Sequence, residues 1–231
     1  MNQSKTSYIL NIHTALEKAM INICEEEKVL ATLMNIDSKQ YAAWLHMAIQ
    51  QILQENDIEI TQLKAIGVTI GPGSYTGIRV GMATAKGLCY ALKIPLITYN
   101  VLQVMALSAI ENIANKNGFY CPMIDARRME VFTAIYNYDL EELMPQAAMI
   151  LTDHSFEEIS SQQTVYFFGS GSDKFKHINN SFHFHFTHQE ITSEQFCKLS
   201  WQKYKRSEFS SVAYAEPIYI KEFYSTQEPA K

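Results

Sequence analysis

The chain has 231 residues, of which 47% are hydrophobic, 12% aromatic and 19% charged, and its formal net charge is −5. This composition excludes a disordered chain, because the apolar share is ordinary for a globular protein and the charged share is low. The acidic balance argues against a protein that holds nucleic acid by bulk positive charge, since phosphate contacts need clustered Lys and Arg. Only four arginines occur in the chain: Arg79, Arg127, Arg128 and Arg206.

The cysteines and the apolar runs indicate the compartment. Cys24, Cys89, Cys121 and Cys197 are far apart in the sequence and form neither a CxxC pair nor a zinc-ligand spacing. Isolated thiols with apolar neighbours are usually core residues in a reducing compartment. The start of the sequence does not resemble a signal peptide, and no run of about 20 apolar residues could cross a membrane. We therefore expect a cytoplasmic protein without membrane association.

The first half of the chain is predicted to form three strands and then alternating helices and strands. Tyr41, Leu45, Ile49 and Ile52 recur at helical spacing, with Ser38 as a plausible N-cap, and short β-prone runs indicate the strands. In chain order, strands are predicted over 8–13, 19–24 and 28–36, a helix over 39–55, a strand over 65–70, a helix over 78–92, a strand over 95–99 and a helix over 100–115.

The second half repeats this order of elements. Strands are predicted over 119–125, 129–137 and 144–151, then a helix over 153–161, a strand over 164–168, a helix over 170–178, a strand over 182–187 and a helix over 192–205. Each half therefore has the order βββαβαβα. Strands joined by helical crossovers form sheets covered by helices, so we predict an α/β protein of two related domains, residues 1–105 and 106–231.

A glycine loop, Gly71-Pro-Gly-Ser-Tyr-Thr-Gly77, follows one predicted strand and opens a helix. It is not a Walker loop, because no Gly-Lys-Ser/Thr follows, and its third glycine comes one residue too late for the dinucleotide fingerprint. Two interpretations remain, a tight turn with glycines at positive φ, or an anion contact at the helix N-terminus. The residues singled out here are Gly71, Gly73, Ser74, Thr76, Gly77 and Arg79.

Two predicted helices carry more apolar surface than one core contact needs. The helix over 78–92 is apolar on one side and small on another, so a sheet covers one side and either a second helix of the chain or a partner covers the other. Beside the core stripe of the helix over 39–55 lie a Trp and a Met, a combination typical of contact sites. The predicted partner interface comprises Tyr41, Trp44, Leu45, Met47, Ala48, Gly81, Ala85 and Leu88.

Candidate catalytic and metal-binding residues are few. His183, His185 and His188 form an HxHxxH pattern, but one of the three points away in a strand and no acidic ligand lies close by. Asp125, Arg127, Arg128 and Glu130 concentrate charge at a strand turn, where a salt-bridged hairpin is the favoured interpretation and a catalytic role the other. No Ser/His/Asp or Cys/His set and no GxSxG elbow is present. We therefore predict no catalytic residue and no metal site.

Several segments resemble the TsaB (YeaZ) family, a subunit family of bacterial tRNA threonylcarbamoyladenosine synthesis. The run from Gly71 to Leu88, GPGSYTGIRVGMATAKGL, is similar to the family's signature. The segment 122–131 is similar to its P-x-I-D-A-R-x-x-E-V motif, and residues 216–221 to its C-terminal end. The resemblance covers nearly the whole chain.

This resemblance implies a fold, a role and partners. The family has the two-domain fold of actin, Hsp70 and sugar kinases (the ASKHA fold), and it is a non-catalytic accessory subunit. It pairs with the catalytic TsaD subunit through the two helices described above, works with the TsaE ATPase, and self-associates through the same surface. The resemblance implies no cofactor of its own, ATP use by the complex, and tRNA contact only through the complex.

The sequence departs from the family pattern at two places. The opening strand of the family ends in an acid followed by Thr, whereas this chain has His13-Thr14. The helix of the family starts His-Ser/Ala-Glu, whereas this chain has Tyr41-Ala42-Ala43. The HxxxH metal motif of TsaD is also missing from the sequence, which favours a non-catalytic subunit.

An alternative function is an actin-fold ATPase or a sugar-kinase-like phosphotransferase that uses the cleft between the domains. It would need an acid that holds Mg²⁺, and Asp125 is the candidate. The peptidase label of the superfamily would need a metal site or a nucleophile that the sequence lacks.

Overall fold

The computed structural model describes residues 7–36, 41–160, 163–179 and 181–221. In chain order its elements are β1 Tyr8–His13, β2 Ala19–Glu25, β3 Lys28–Asn35, α1 Tyr41–Glu55, β4 Leu63–Thr69, α2 Tyr75–Leu92, β5 Leu96–Tyr99, α3 Val101–Ile113, β6 Phe119–Asp125, β7 Glu130–Tyr136, β8 Glu142–Ile150, α4 Glu157–Ser160, β9 Val165–Phe168, α5 Ser172–Lys176, β10 Phe184–Phe186 and α6 Ser193–Lys205. A short 3-10 helix, Ile60–Gln62, precedes β4.

The strands form two five-stranded sheets with the same topology. Their strand orders are β3-β2-β1-β4-β5 and β8-β7-β6-β9-β10. In the first sheet the central strand is β1, which pairs antiparallel with β2 and parallel with β4. In the second sheet the central strand is β6, which pairs antiparallel with β7 and parallel with β9. The outer strands β5 and β10 also pair in parallel. The predicted repeat of βββαβαβα is therefore confirmed.

Two helices link the two sheets, because each packs on the sheet formed by the other half of the chain. Helix α3 follows the first sheet in sequence but packs on β6 and β7 of the second, and α6 packs on β1, β2 and β3 of the first. The two helices also contact each other, where Gln195 Nε2 donates to Glu111 Oε2 at 2.8 Å and Lys198 Nζ to Glu111 Oε1 at 2.7 Å. The division into 1–105 and 106–231 stays a prediction, and its boundary falls within α3.

A polar cluster is enclosed in the core between the first sheet and α6. Asn11 Nδ2 donates to Asn22 Oδ1 at 2.9 Å, and the Tyr99 hydroxyl donates to Asn11 Oδ1 at 2.7 Å. The Cys197 thiol donates to Asn22 Oδ1 at 3.3 Å. All four residues are buried, and buried polar groups are tolerated when they are paired in this way.

Several elements differ in extent from the predictions. Helix α2 begins at Tyr75 rather than at residue 78, because the Ser74 side chain caps it by accepting from the Gly77 N–H. Helix α4 starts at Glu157 rather than at 153, since Phe156 has a φ of 66° that no α-helix accommodates. Helix α5 and strand β10 are also shorter than predicted. The predicted cap Ser38 and the helix start at 39 lie outside the described residues.

Within the ranges that the structure describes, no helix is both long enough and apolar enough to span a membrane.

Candidate functional site

The glycine loop packs directly against the turn that follows β1. The Ser74 N–H donates to the Ala15 carbonyl at 2.7 Å, and the Thr14 hydroxyl donates to the Gly77 carbonyl at 2.7 Å. A Cβ at position 73 would lie 2.1 Å from the Ala15 carbonyl oxygen, and one at position 77 would lie 1.9 Å from the Thr14 carbonyl oxygen. Glycine is required at both positions because any side chain would collide with backbone.

The other side of the same loop contacts the C-terminal segment. Gly71, at a φ of 120°, would place a Cβ 2.8 Å from the Ile218 carbonyl oxygen. The Ile218 N–H donates to the Ile70 carbonyl at 2.8 Å, and the Tyr219 ring lies 5.2 Å from the Tyr75 ring between centroids. Of the two interpretations of the loop, these contacts support the tight turn, because the chain's own backbone lies against all three glycines. Anion binding there stays a prediction.

His13, the residue at the place of the family's acid, is buried at the end of β1. Its Nδ1 lies 3.2 Å from the Thr69 hydroxyl, and its ring lies 5.2 Å from the Phe196 ring of α6 between centroids. Burial lowers the pKa of His13 to about 4 because the charged imidazolium would lose its hydration. The imidazole is therefore neutral at neutral pH, and it is packed rather than open to a ligand.

Asp125 ends β6 as His13 ends β1, but its surroundings are charged and accessible. Its Oδ1 accepts from Lys174 Nζ at 2.6 Å and from the Arg127 N–H at 2.6 Å. The hydrogen bond from Lys174 lowers the pKa of Asp125 below its usual value. The carboxylates of this turn form ion pairs with lysines of other segments, Asp125 with Lys174 of α5 and Glu130 with Lys221 of the C-terminal segment, and not with the arginines of the turn as a salt-bridged hairpin would have them.

A second glycine turn lies beside Asp125. Gly169, at a φ of 95°, and Gly171 join β9 to α5, as the glycine loop joins β4 to α2. A Cβ at position 171 would meet the Asp125 nitrogen at 3.3 Å, and the Ser170 hydroxyl accepts from that N–H at 3.0 Å. The two glycine turns therefore occupy equivalent places in the two sheets.

The eight residues of the predicted partner interface do not share one surface. Five of them are buried inside the chain and three are at least partly accessible. The buried five are Tyr41, Leu45, Ala48, Gly81 and Ala85, and the accessible three are Trp44, Met47 and Leu88. The Tyr41 hydroxyl donates to the carbonyls of Leu16 and Glu17, which explains its burial. The five buried residues support the helices from inside, and contact with a partner stays a prediction.

The accessible faces of α1 and α2 nevertheless adjoin, because the two helices pack together. Met47 is 66% exposed and Tyr90 is 82% exposed. Ala83, Gly87 and Ala91 recur at helical spacing along the exposed side of α2. We call these five residues the small-residue face. Beside it, Leu88 lines a groove of about 810 Å³ that runs along the C-terminal half of α1.

Sequence reasoning missed the course of the segment after α6. We call residues 208–221 the C-terminal strap. Its Ser210 N–H donates to the Leu96 carbonyl at 2.8 Å, and Lys86 Nζ of α2 donates to the Ala213 and Ala215 carbonyls at 3.1 and 3.0 Å. The only sequence signal was the family-like end over 216–221, which carries no information on where the segment lies.

Metal ligands do not converge in the part of the chain that the structure describes, since no group of three or more His, Cys, Asp or Glu side chains could hold an ion there. His188 lies 3.7 Å from Glu190, and His183 and His185 contact aromatic rings instead.

Comparison with known proteins places this geometry in a family. The model of the family described as "TsaD: tRNA N6-adenosine threonylcarbamoyltransferase" matches residues 34–213, which is more than half of the chain. The chain belongs to this family.

The sequence relatives confirm the resemblance to TsaB. The "tRNA threonylcarbamoyladenosine biosynthesis protein TsaB" of Bacillus subtilis is 32% identical over 63% of this chain and 63% of its own. The match therefore spans less than two thirds of that relative. The protein of the same description from Escherichia coli is 25% identical over 92% of this chain and 94% of its own.

Solved structures confirm the fold class. An uncharacterized protein with similarity to peptidase YEAZ from Pseudomonas aeruginosa has a TM-score of 0.80 at 20% identity, over 93% of this chain and 100% of its own. A polyphosphate/ATP-glucomannokinase from Arthrobacter has a TM-score of 0.52 at 9% identity, over 87% of this chain and 99% of its own. The predicted α/β fold of the actin and sugar-kinase type is therefore confirmed, and these likenesses show the fold alone.

Proposed function

We propose that this chain is the accessory subunit of a tRNA N6-adenosine threonylcarbamoyltransferase complex, and that it binds and supports the catalytic TsaD-type subunit without catalysing a reaction itself. The family match and the names of the relatives support a role in threonylcarbamoyladenosine synthesis. The small-residue face is the observation that carries the binding role.

The chemistry of this face suits a helix of another protein. Methionine adapts to an irregular apolar partner surface, and tyrosine is enriched at protein interfaces. Small residues along a helix let a second helix approach closely, and a Cβ at position 87 would meet nothing within 4 Å. An exposed apolar patch of this kind is more often an interaction site than a surface that stays in contact with solvent.

The surroundings of Asp125 and His13 support a non-catalytic role over the alternative of an ATPase or phosphotransferase. That alternative needs a carboxylate for Mg²⁺, and its candidate Asp125 is engaged by Lys174. At the equivalent place in the first sheet stands the buried, neutral His13. In our proposal the chain has no cofactor of its own, a TsaE-type ATPase uses ATP within the complex, and tRNA is modified only by the assembly.

Co-purification with the TsaD-type subunit of the same organism tests the proposal. We expect Met47→Asp and Gly87→Asp to abolish co-elution and the formation of threonylcarbamoyladenosine in a tRNA modification assay with all subunits present. Both positions are accessible, so the variants should keep the thermal midpoint of the parent chain. Phe182→Asp, at a side chain that is 92% exposed in the turn before β10, is the matched control and should behave as the parent chain.

Two outcomes would contradict the proposal. One is co-elution of Met47→Asp and Gly87→Asp at parental levels. The other is full modification of tRNA when this chain is omitted. Ala85 is not a suitable position for this test, because it is fully buried and a charge there would unfold the chain. The proposal includes self-association of the isolated chain through the same face, so both variants should also be monomeric in sedimentation experiments.

A further inference from the structure

Arg79 lies beside two accessible tyrosines at the start of α2, and two further arginines, Arg127 and Arg128, lie in the turn between β6 and β7. The Arg79 guanidinium lies 4.9 Å from the centroid of the Tyr75 ring and donates to the Tyr75 hydroxyl. The Tyr75 ring lies 5.2 Å from the ring of Tyr219, which is 48% exposed. We call Tyr75, Arg79, Arg127, Arg128 and Tyr219 the arginine–tyrosine patch.

A continuous line of contacts links the two parts of this patch. Two residues after Tyr219, Lys221 pairs with Glu130 of β7. The Glu130 N–H donates to the Arg127 carbonyl at 3.1 Å, which closes the turn between β6 and β7. The patch therefore runs from the start of α2, across the end of the C-terminal strap, to the tip of that turn.

Within the described part of the chain, the arginines of the patch are not paired with the carboxylates nearest to them. The carboxylates of Asp125 and Glu130 are taken by Lys174 and Lys221. Among the residues that the structure describes, no carboxylate forms an ion pair with Arg79, Arg127 or Arg128. A chain of net charge −5 thus presents a local cationic surface here.

The backbone gives a second, independent reason to regard the turn as functional. Arg127 and Arg128 have φ values of 71° and 46°, in the left-handed region that favours glycine and asparagine. Two consecutive arginines at such positions cost stability, and both side chains are exposed, so packing does not require them. Strain of this kind is retained where the side chains have a task.

We propose that the arginine–tyrosine patch binds a single-stranded segment of RNA, with the arginines on phosphates and Tyr219 stacked on an unpaired base. Stacking platforms flanked by cations bind single strands, because unpaired bases expose their faces and the backbone carries a negative charge at each phosphate. An acidic protein segment would use the arginines but not the tyrosine faces. This inference rests on the proposed function, in which the RNA is the tRNA handled by the complex.

Binding of a fluorescently labelled RNA hairpin with an unpaired loop tests the inference by anisotropy, with the full chain alone and with the chain bound to its TsaD-type subunit. We expect Arg127→Asn combined with Arg128→Gly to weaken hairpin binding about tenfold or more. In a plot of the logarithm of the binding constant against the logarithm of the salt concentration, the magnitude of the slope should decrease by about 1 to 2, because two phosphate contacts are lost. This double variant suits the left-handed backbone, so it should be at least as stable as the parent chain.

The aromatic contribution is tested separately. Tyr219→Ala should weaken hairpin binding about fivefold or more, whereas Tyr219→Phe, which keeps the ring, should stay within about twofold of the parent. Arg206→Asn and Phe182→Ala are the matched controls, at an arginine and an exposed aromatic outside the patch, and both should bind as the parent chain does. A blunt RNA duplex of the same length should bind more weakly than the hairpin.

Three results would overturn the inference. The first is parental hairpin affinity in the double arginine variant, and the second is equal affinity for hairpin and duplex. The third is weaker binding of the TsaD-type subunit by that variant with hairpin affinity unchanged, which would assign the patch to a protein contact. If the complex forms and tRNA is modified while the patch variants bind RNA normally, the inference fails and the proposed function stands. If the complex does not form, the proposed function fails and the hairpin experiment with the chain alone still decides the inference.

Discussion

His13 and Asp125 occupy the same position in the two halves of the protein. Each is the last residue of the central strand of its sheet. The glycine turn that follows the neighbouring parallel strand contacts Asp125 itself in the second sheet, and Thr14 and Ala15, the residues directly after His13, in the first. One is a buried neutral imidazole against Phe196, and the other is an accessible carboxylate held by Lys174. The repeat has therefore kept its backbone while the chemistry at these equivalent positions has diverged.

The burial of His13 predicts a pH dependence of stability. The pKa of His13 is about 4 in the folded chain and 6.5 without burial, so between these values the unfolded chain binds a proton that the folded chain does not. The free energy of unfolding therefore rises with pH through this window. The titration of His13 leaves the free energy of unfolding at its full value above pH 6.5 and lowers it by about 3 kcal/mol as the pH decreases to about 4.

Chemical denaturation at a series of pH values measures this dependence. His13→Gln should flatten the curve between pH 6.5 and about 4 relative to the parent chain. His185→Gln removes an accessible imidazole of β10 and is the matched control for the loss of a histidine side chain. Equal pH dependence in the parent chain and His13→Gln would contradict the prediction.

The close approach of α2 to the β1–β2 turn predicts opposite effects of two glycine substitutions in one helix. Gly77→Ala should lower the free energy of unfolding by about 2 kcal/mol or more, because its Cβ would lie 1.9 Å from the Thr14 carbonyl oxygen. Gly87→Ala should raise it by about 0.5 to 1 kcal/mol, because its Cβ meets nothing within 4 Å and alanine is the better helix former. Urea denaturation of the isolated chain measures both, and a loss of stability in Gly87→Ala would show that this side of α2 is already covered.

The order of the elements could be predicted from the sequence because it depends on local periodicity. The β-prone runs and the helical spacing from Tyr41 to Ile52 both lie within single elements, and the structure places strands and helices there. The same reasoning failed for the accessibility of Ala85 and Gly81. Helix α2 has small residues on two sides, and only the packing of α1 and the first sheet decides which side is enclosed.

The tertiary course of the chain could not be predicted, because it depends on contacts between residues far apart in sequence. Helix α6 has an ordinary amphipathic pattern, and nothing in it indicates that Phe196 covers His13 of the first sheet. The strap after it has no periodicity, and much of its attachment uses backbone groups, such as the Ala213 and Ala215 carbonyls that accept from Lys86. Sequence patterns report which side chains are apolar, but hydrogen bonds to backbone carbonyls place no constraint on the residue type that supplies them.

The enclosed polar cluster predicts a cost for removing one hydroxyl. Tyr99→Phe would leave Asn11 Oδ1 without the donor that lies 2.7 Å away, in a site that water does not reach. We expect the free energy of unfolding to fall by about 1 to 3 kcal/mol, since an unpaired buried acceptor loses its hydration without compensation. Tyr214→Phe removes a hydroxyl from an exposed ring and should change stability by less than about 0.5 kcal/mol. Equal stability of Tyr99→Phe and the parent chain would mean that the cluster rearranges around the missing donor.

The hydrogen bonds of Lys86 predict that this residue fixes the position of the C-terminal strap. Its ammonium donates to the carbonyls of Ala213 and Ala215, so it binds the strap whatever side chains the strap carries. Lys86→Met keeps the length of the side chain but removes the donor, and it should raise amide hydrogen exchange in the strap while β1 and β4 keep their protection. Lys176→Met, at an exposed lysine of α5, is the matched control and should leave the exchange pattern unchanged.

Because the strap also carries Tyr219 toward the start of α2, Lys86→Met should weaken hairpin RNA binding as well, by a smaller factor than Tyr219→Ala. Unchanged exchange across residues 208–221 in Lys86→Met would show that the contacts of Ser210 and Ile218 suffice to hold the strap.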